Sequence, residues 1–420
     1  MRTLVLSDLH LGCAAAPGVF AGGEALPGLL DHLGGPLRVV LNGDTFDFIA
    51  LGESFASDDD ASAGQLAGFV EANAATLAAL ARVLARGGQL VLRTGEHDDE
   101  LALAGVQAGL REHFAAAGVA PNLVFQTGPE ARVLAVGGAR VAVVHDLVGG
   151  GRGGPGARVL ARRLLQPLRR EFGLDFVDLL KPDPARAALA ALAVNPTAAK
   201  LVFAGAPAAS VWRGLIDPEH AHDAAGLALA MAGADLDPRE RELILAALDP
   251  AAAIGSEPRD SSQLDLARLK LLRAALGGPP GRCEPTGAIG AHGAAGPITA
   301  DETAAARRLV QGRDVAAVLA GHTQAAGFAA EDALCIVDTG AWVWRFTPPA
   351  PHDDAGWRRL MTLWQQAPGL QALRRDTPLW VRFTAALLEP RSGGGARLEL
   401  IEWLRGAPFT VHASRDLPPA

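Results

Sequence analysis

The sequence contains no tyrosine and only three lysines in 420 residues, so its positive charge comes almost entirely from arginine. Alanine, glycine and arginine are abundant together, which indicates a compositional bias, so the arginines are weak evidence for phosphate recognition. Basic residues are also outnumbered, 38 against 46 acidic residues, which gives a net charge of −8. That balance argues against a general nucleic-acid binder, which would present a basic face. It leaves room for a small anionic substrate in a local pocket.

Cysteines and long apolar runs are scarce as well. Cys13, Cys283 and Cys335 are an odd number and lie far apart, which argues against a disulfide framework and against a CxxC zinc ribbon. No uninterrupted apolar run reaches the roughly 18 residues that a transmembrane helix needs. The residues ahead of Ser7 are too few for the apolar segment of a signal peptide. We therefore expect a cytoplasmic protein without a transmembrane segment.

Short apolar runs that end at polar residues recur along the chain and are typical of buried strands. The predicted strands span residues 3–6, 37–41, 89–92, 140–144 and 315–319. Alanine-rich stretches at 64–86 and 101–117 predict helices between the early strands. This alternation predicts a layered α/β fold. Two hairpins, within 132–144 and 380–403, predict that the sheets are mixed.

The domain organisation follows from a composition shift in the middle of the chain. The glycine-rich segment 149–156 reads as a linker, and residues 157–298 after it lack strand-like runs. We predict that 157–298 is a large, mostly helical insertion or cap. The α/β pattern resumes at Thr299, the first residue of a capping box. The predicted core therefore comprises residues 1–148 and 299–420.

Each of five predicted strands is followed by side chains that can bind metal ions. These side chains are Asp8 and His10, Asp44 and Asp47, Glu96 through Asp98, His145, and His322. Because loops beyond the carboxyl ends of parallel strands share one crevice, we expect these side chains to converge. Asp and His suit zinc, manganese and iron, and a carboxylate shared by two ions is a natural bridge. Taken singly, each motif is better explained as an ordinary turn, so the prediction depends on the ordered set.

The ordered set resembles the calcineurin-like metallophosphoesterases, in particular bacterial members with a Ser-Asp-Leu-His-Leu-Gly motif. The matching segments are Ser7–Gly12, Gly43–Asp47, Gly95–Asp98, His145–Asp146 and Gly321–Thr323, and Asp338–Trp342 is similar to the segment that follows the last motif. The resemblance covers about residues 1–148 and 299–345. It implies a four-layer αββα sandwich that holds two divalent metal ions, manganese, iron or zinc.

The resemblance also implies a ligand for each ion. Asp8 and His10 would hold the first metal, and Asp44 would bridge both metals. The second metal would be held by the residues at the remaining motif positions, which are Glu96, His145 and His322. The implied activity is that of a phosphatase or phosphodiesterase, a hydrolase that cleaves a small phosphorylated substrate through a metal-bound hydroxide.

Three further residues receive catalytic roles from the resemblance. His97 would face the substrate and protonate the leaving oxygen. Asp47 and Asp98 would orient histidines through hydrogen bonds. The protein phosphatase branch of the family is disfavoured, because Phe48 and Ile49 follow Asp47 where that branch has Arg-Gly.

Two positions depart from the family pattern. Glu96 replaces an asparagine, which adds a negative charge and lowers the Lewis acidity of the metal pair. Gln324 replaces the second histidine of a Gly-His-x-His motif, and its neutral amide oxygen is a weaker ligand, so the first-metal site is predicted to be weak. His292 would supply the missing ligand if its loop reached the site; the other interpretation is a solvated loop histidine. The alternative function is thus a degenerate family member, a binding or regulatory module with a weakened or single-metal site.

Overall fold

The structure is a computed structural model. It describes residues 1–14, 18–48, 59–116, 122–128, 130–147, 193, 238–240, 261–277, 298–331, 333–346, 349–350, 352–366, 379–404 and 408–420. The chain divides into two compact units, of which the first comprises 1–153, 291–344 and 381–420 and the second 154–290 and 345–380. Most of the predicted insertion 157–298 lies outside the described residues, and so do His292 and the predicted linker 149–156. Their predicted structure therefore stays a prediction.

All the described strands except β10 and β11 belong to the first unit. In chain order the strands are β1 (Arg2–Leu6), β2 (Leu37–Asn42), β3 (Gln89–Arg93), β4 (Leu123–Gln126), β5 (Arg132–Val136), β6 (Ala139–Val143), β7 (Ala317–Ala320), β8 (Gly327–Glu331), β9 (Leu334–Asp338), β10 (Arg345–Phe346), β11 (Leu379–Trp380), β12 (Thr384–Pro390), β13 (Ala396–Glu402) and β14 (Thr410–Leu417). The short β10 and β11 pair with each other in the second unit. Each of the five strands predicted from apolar runs is present, with ends shifted by at most two residues.

The described α-helices follow the alanine-rich and amphipathic segments. They are α1 (Ala25–Leu33), α2 (Asp59–Ala72), α3 (Ala74–Ala85), α4 (Ala104–Ala116), α5 (Ser261–Gly277), α6 (Ala300–Val310) and α7 (Asp354–Gln365). The capping box ahead of α6 is confirmed: Thr299 Oγ1 accepts from the Glu302 N–H at 3.2 Å, and Glu302 Oε2 accepts from the Thr299 N–H at 2.7 Å.

The prediction of one continuous helix over 64–86 is wrong. The helix breaks at Asn73, and the axes of α2 and α3 differ by 91°. The Asn73 amide nitrogen donates to the Gly12 carbonyl at 2.7 Å and to the Phe69 carbonyl at 2.9 Å. An asparagine that bonds backbone carbonyls in this way competes with helix continuation.

No single described helix is both long enough and apolar enough to cross a membrane. The bent pair α2 and α3 passes the same test only when the two helices are taken together.

Two mixed sheets form the α/β fold of the first unit, as predicted. The seven-stranded sheet has the order β14-β13-β12-β1-β2-β3-β4, in which β1 to β4 are parallel and β12 to β14 are antiparallel additions. The five-stranded sheet has the order β5-β6-β7-β9-β8, in which β6, β7 and β9 are parallel. Each sheet therefore has a parallel centre, and the carboxyl ends of its central strands lie at one edge.

The two sheets pack against each other through a shared apolar core. Val40 and Val91 of the seven-stranded sheet belong to the same buried cluster as Val141 and Leu319 of the five-stranded sheet. On its other face, the five-stranded sheet packs against Ala306 of α6. Burial on both faces explains why these strands read as continuous apolar runs instead of alternating patterns. This packing fixes the strand ends, and therefore the loops that follow them.

Candidate metal centre

The loops that follow the parallel strands are joined directly to one another. The His10 N–H donates to the Asp44 carbonyl at 2.9 Å, which ties the loop after β1 to the loop after β2. The Gly321 N–H donates to the His145 carbonyl at 3.0 Å within the five-stranded sheet. A third bond, from the His322 N–H to Asp8 Oδ2 at 2.9 Å, joins the two sheets. The polar strand ends predicted to converge are therefore brought together.

Backbone strain is concentrated in these loops. Among the described residues, those that are not glycine and have a positive φ are Asp8 (54°), His10 (47°), Asp44 (52°), His322 (69°) and Gln324 (60°). This left-handed conformation costs a residue with a side chain on the order of 1–2 kcal/mol. All of these residues are predicted metal ligands. Strained residues persist where the surrounding structure imposes them, and they cluster at functional sites.

A first group of ligand atoms lies deep in the protein. His10 Nε2 is 3.6 Å from Asp8 Oδ1 and 3.7 Å from Asp44 Oδ2, and all three side chains are fully buried. Within the described part of the chain, neither of these carboxylate oxygens has a hydrogen-bond partner. An unsatisfied buried oxygen costs roughly 1–3 kcal/mol. Ligands at about 2.1 Å from a shared ion lie roughly 3–3.5 Å apart, so this spacing is close to that of a metal site.

A second group lies beside the first and is partly exposed. Glu96 is placed between two histidines, with Oε2 at 3.2 Å from His145 Nε2 and Oε1 at 2.8 Å from His322 Nδ1. Asp44 Oδ2 is 3.4 Å from the same His145 nitrogen. Asp44 therefore faces both groups, as a bridging carboxylate would. The side chains of Glu96 and His322 are 21% and 28% exposed, so the cluster opens toward solvent on this side.

The charges of this cluster are strongly coupled. Burial on its own raises the pKa of a carboxyl group and lowers that of an imidazole. Here opposite charges outweigh burial: Asp44 and Glu96 hold the pKa of His145 well above its ordinary value. Glu96 raises the pKa of His322 to about 10, and both histidines hold the pKa of Glu96 well below its usual range. Without a metal ion, imidazolium ions therefore neutralise the carboxylates, and a binding metal has to displace their protons.

His97 and Asp47 form a buried pair next to the first group. His97 Nδ1 lies 2.9 Å from Asp47 Oδ1, which leaves the other ring nitrogen for the site. The His97 ring packs edge-on against the His10 ring, with centroids 4.7 Å apart. The His97 N–H also donates to Asp44 Oδ1 at 2.9 Å. The backbone of His97 thus holds the carboxylate whose second oxygen faces the two ligand groups.

Asp98 differs from the role that the family resemblance implies. Its carboxylate accepts backbone N–H groups from Gly95 and Thr45 at 2.7 Å each, and longer bonds from Asp44 and Phe46. Its hydrogen bonds go to the backbone and not to a histidine ring. Fully buried, Asp98 ties the loop that carries Glu96 to the loop that carries Asp44.

Gln324 lies at the first group, although it is not an ionisable residue. It is buried, and its amide Nε2 is 3.5 Å from His10 Nε2. The remaining ligand candidates of the first group, Asp8 and Asp44, face the same histidine nitrogen. Gln324 therefore lies where the family resemblance implies a further ligand of the first metal, with its amide nitrogen toward His10.

Two further residues hold the site, and the sequence motifs assign no role to either of them. The Asn42 carbonyl accepts from His145 Nδ1 at 2.7 Å, and its side-chain amide donates to the Val144 carbonyl at 2.8 Å, so Asn42 fixes the strand end that carries His145. Asp338 accepts from Thr323 Oγ1 at 2.6 Å, and burial raises the pKa of Asp338 to about 7. Both are polar residues at strand ends, the signal used for the ligands, but neither lies within the five motifs.

The residues present fit divalent metal ions. Asp8, His10, Asp44, Glu96, His145 and His322 combine carboxylate and imidazole donors, and three overlapping groups place one ligand atom from each member within 4.8 Å of the others. One of these groups contains His97 with His10 and Asp44. No protein-family model and no curated protein sequence matches this chain. The functional interpretation therefore depends on the site itself.

Proposed function

We propose that this protein is a metal-dependent phosphoesterase that hydrolyses a small phosphomonoester or phosphodiester. The observation that carries the proposal is the placement of Asp44 Oδ2. This oxygen is buried, lacks a hydrogen-bond partner among the described residues, and faces His10 Nε2 at 3.7 Å and His145 Nε2 at 3.4 Å. A carboxylate shared in this way suits two neighbouring cations better than one.

The ligands would be divided between two positions that share Asp44. The first position would be held by Asp8, His10, Asp44 and Gln324, and the second by Asp44, Glu96, His145 and His322. Two divalent ions such as manganese, iron or zinc supply Lewis acidity and activate water at neutral pH. The partial exposure of Glu96 and His322 gives a phosphate group access to the centre from the second position.

His97 would move the proton in this reaction. Asp47 accepts its Nδ1 hydrogen, which orients the ring and stabilises the charged imidazolium. The opposite ring nitrogen is then available to protonate the leaving oxygen. A positioned general acid of this kind typically contributes about 10²–10⁴ in rate.

The proposal includes the four-layer αββα arrangement, a cytoplasmic location and a preference for small substrates over nucleic acid. The two mixed sheets that share one core are compatible with this arrangement. The second candidate function is a binding or regulatory module. Gln324 favours the binding module, because an amide ligand weakens metal binding at the first position.

The test is hydrolysis of p-nitrophenyl phosphate and of bis(p-nitrophenyl) phosphate with added manganese. Bound metal is counted on the same samples. We expect wild-type turnover to be abolished by Asp44→Asn together with the loss of bound metal, and reduced by His97→Ala with metal retained. Asp31→Asn is the matched control, because Asp31 pairs with Arg82 and Arg86 on the surface. Fewer than one bound metal per chain, with no turnover, would favour the binding module.

A further inference from the structure

The two candidate metal positions present different donor atoms. Counting the shared Asp44, each position has two carboxylates, so their formal charges are equal. The first position adds one imidazole and one amide, and the second adds two imidazoles; the residues concerned are His10 and Gln324, against His145 and His322. The difference between the positions is therefore one amide in place of one imidazole.

Donor type governs which ion each position prefers. Imidazole suits zinc, iron and copper, whereas carboxylate, carbonyl and water oxygens suit manganese and magnesium. We infer that the two positions bind unlike ions, the second a tightly held zinc-type ion and the first a weaker, exchangeable manganese-type ion. Gln324 is the residue that sets the difference. The inference rests on the metal centre of the proposed function.

The backbone supports a ligand role for Gln324. Its φ of 60° is left-handed, as are those of Asp8, His10, Asp44 and His322, and this conformation is costly for a residue with a side chain. Its side chain is buried, with 5% of the residue exposed, where a glutamine on a surface loop would be solvated. Its amide nitrogen lies 3.5 Å from His10 Nε2, and a half-turn of the amide group would place the metal-binding oxygen there instead. Strain and burial together direct this amide to the first position.

The second position contains a further departure, Glu96, that acts in the same direction. The Glu96 carboxylate lies 3.2 Å from His145 and 2.8 Å from His322, so it places a negative charge between two imidazoles. Two imidazoles and two carboxylates make a complete four-donor set of the kind that zinc accepts. The first position has only one nitrogen donor in the same count. Both departures therefore increase the difference in metal preference between the two positions.

His97 is the one competitor for the Gln324 role among the described histidines. It lies in one ligand group with His10 and Asp44. Were His97 to bind the first ion, that position would also have two nitrogen donors and the positions would become alike. Asp47 binds Nδ1 of His97 at 2.9 Å, which leaves Nε2 available either as a metal ligand or as the proton donor of the proposed reaction. The experiment has to separate the two residues.

The experiment is a calorimetric titration of the metal-free full chain, first with zinc and then with manganese. We expect two zinc steps whose dissociation constants differ by at least about 100-fold, in line with the loss of one imidazole donor. Gln324→His should tighten the weaker zinc step by at least about tenfold and leave the tighter step unchanged. Gln324→Glu should instead tighten manganese binding at the weaker step. Because the two variants act on different metals, misfolding does not reproduce the pattern.

Two matched variants complete the design. Glu96→Gln should weaken only the tighter zinc step, and His97→Ala should leave both steps unchanged. Equal zinc steps in the wild type, or a weaker step that Gln324→His does not alter, would overturn the inference. A loss of the weaker step in His97→Ala would transfer the role to His97 and overturn it too. If both steps behave as expected but no phosphoester is hydrolysed, the proposed function fails and this inference stands.

Discussion

His97 Nδ1 lies 2.9 Å from Asp47 Oδ1, and both side chains are buried. The pair joins the loop after β3 to the loop after β2, two strands that are neighbours in the seven-stranded sheet. Asp47 contacts the His97 ring, which would carry the proton, so Asp47 is a positioning residue in the proposed mechanism. This dependence can be tested by combining substitutions.

In the catalytic pair, we expect Asp47→Asn to lower kcat by about 10–100-fold without changing the bound metal. His97→Ala should lower it by about 10²–10⁴-fold. The double variant should be no slower than His97→Ala, because the ring that Asp47 orients in the proposed mechanism is then absent. If the two reductions in kcat multiply in the double variant, Asp47 acts independently of His97. The measurement is steady-state kinetics with metal content determined in parallel.

The pH dependence of metal-free stability should report the ion pairs of the second position. The pKa of His322 is raised to about 10 from its ordinary 6.5, so its stabilisation is complete below pH 6.5 and is lost as the pH rises toward 10. The pKa of Glu96 is lowered, so its contribution is present above pH 4.5 and is lost in more acidic solution.

We therefore expect the free energy of unfolding of the metal-free protein to be greatest between about pH 4.5 and 6.5. Denaturant titrations across pH 4 to 10 measure it. His322→Ala should flatten the decline on the alkaline side. If the free energy of unfolding of that variant declines equally steeply at alkaline pH, groups other than His322 cause the decline.

Asp98 should contribute strongly to the stability of the fold. Its carboxylate accepts four backbone N–H groups from two loops, so Asp98→Ala leaves those donors buried without an acceptor. We expect a loss of about 2–4 kcal/mol in the free energy of unfolding, measured by urea titration. Asp98→Asn should also destabilise, because its amide hydrogens would meet N–H donors. A change below about 0.5 kcal/mol, the size of an ordinary surface substitution, would contradict this role.

A pair of glycines offers a matched test of the space around Asp44. A methyl group at Gly95 would overlap Asp44 Oδ1, whereas one at Gly64 in α2 meets no atom within 4 Å. Gly95→Ala should therefore displace the Asp44 carboxylate and abolish metal binding. Gly64→Ala should leave metal binding intact and stabilise the helix by up to about 1 kcal/mol. If the Gly95→Ala variant still binds metal, the present position of the Asp44 carboxylate is not required for metal binding.

Much of the fold could be predicted because strand and site signals coincide. The run ending at Leu41 predicts β2, and the polar residues after it predict the position of Asp44 at the sheet edge. The capping box at Thr299 is a local signal and is confirmed for the same reason. Such features depend on residues that are neighbours in sequence, and they can therefore be predicted from short segments of the chain.

The parts that escaped prediction depend on distant contacts. The break at Asn73 is accompanied by a hydrogen bond to the Gly12 carbonyl, which lies 61 residues away. The role of Asp98 depends on N–H groups from residues 44–46, and the role of Asn42 on a histidine 103 residues away. Periodicity and short motifs carry no information about these pairings. They arise only when the strand ends are brought to one edge.

The central claim is that Asp44 bridges two metal ions. The most direct measurement is an anomalous difference map from crystals of the full chain soaked in millimolar manganese. The account predicts two peaks roughly 3.5–4 Å apart, on either side of Asp44 Oδ2, one toward His10 and one toward His145. The absence of any peak within reach of Asp44 would contradict it.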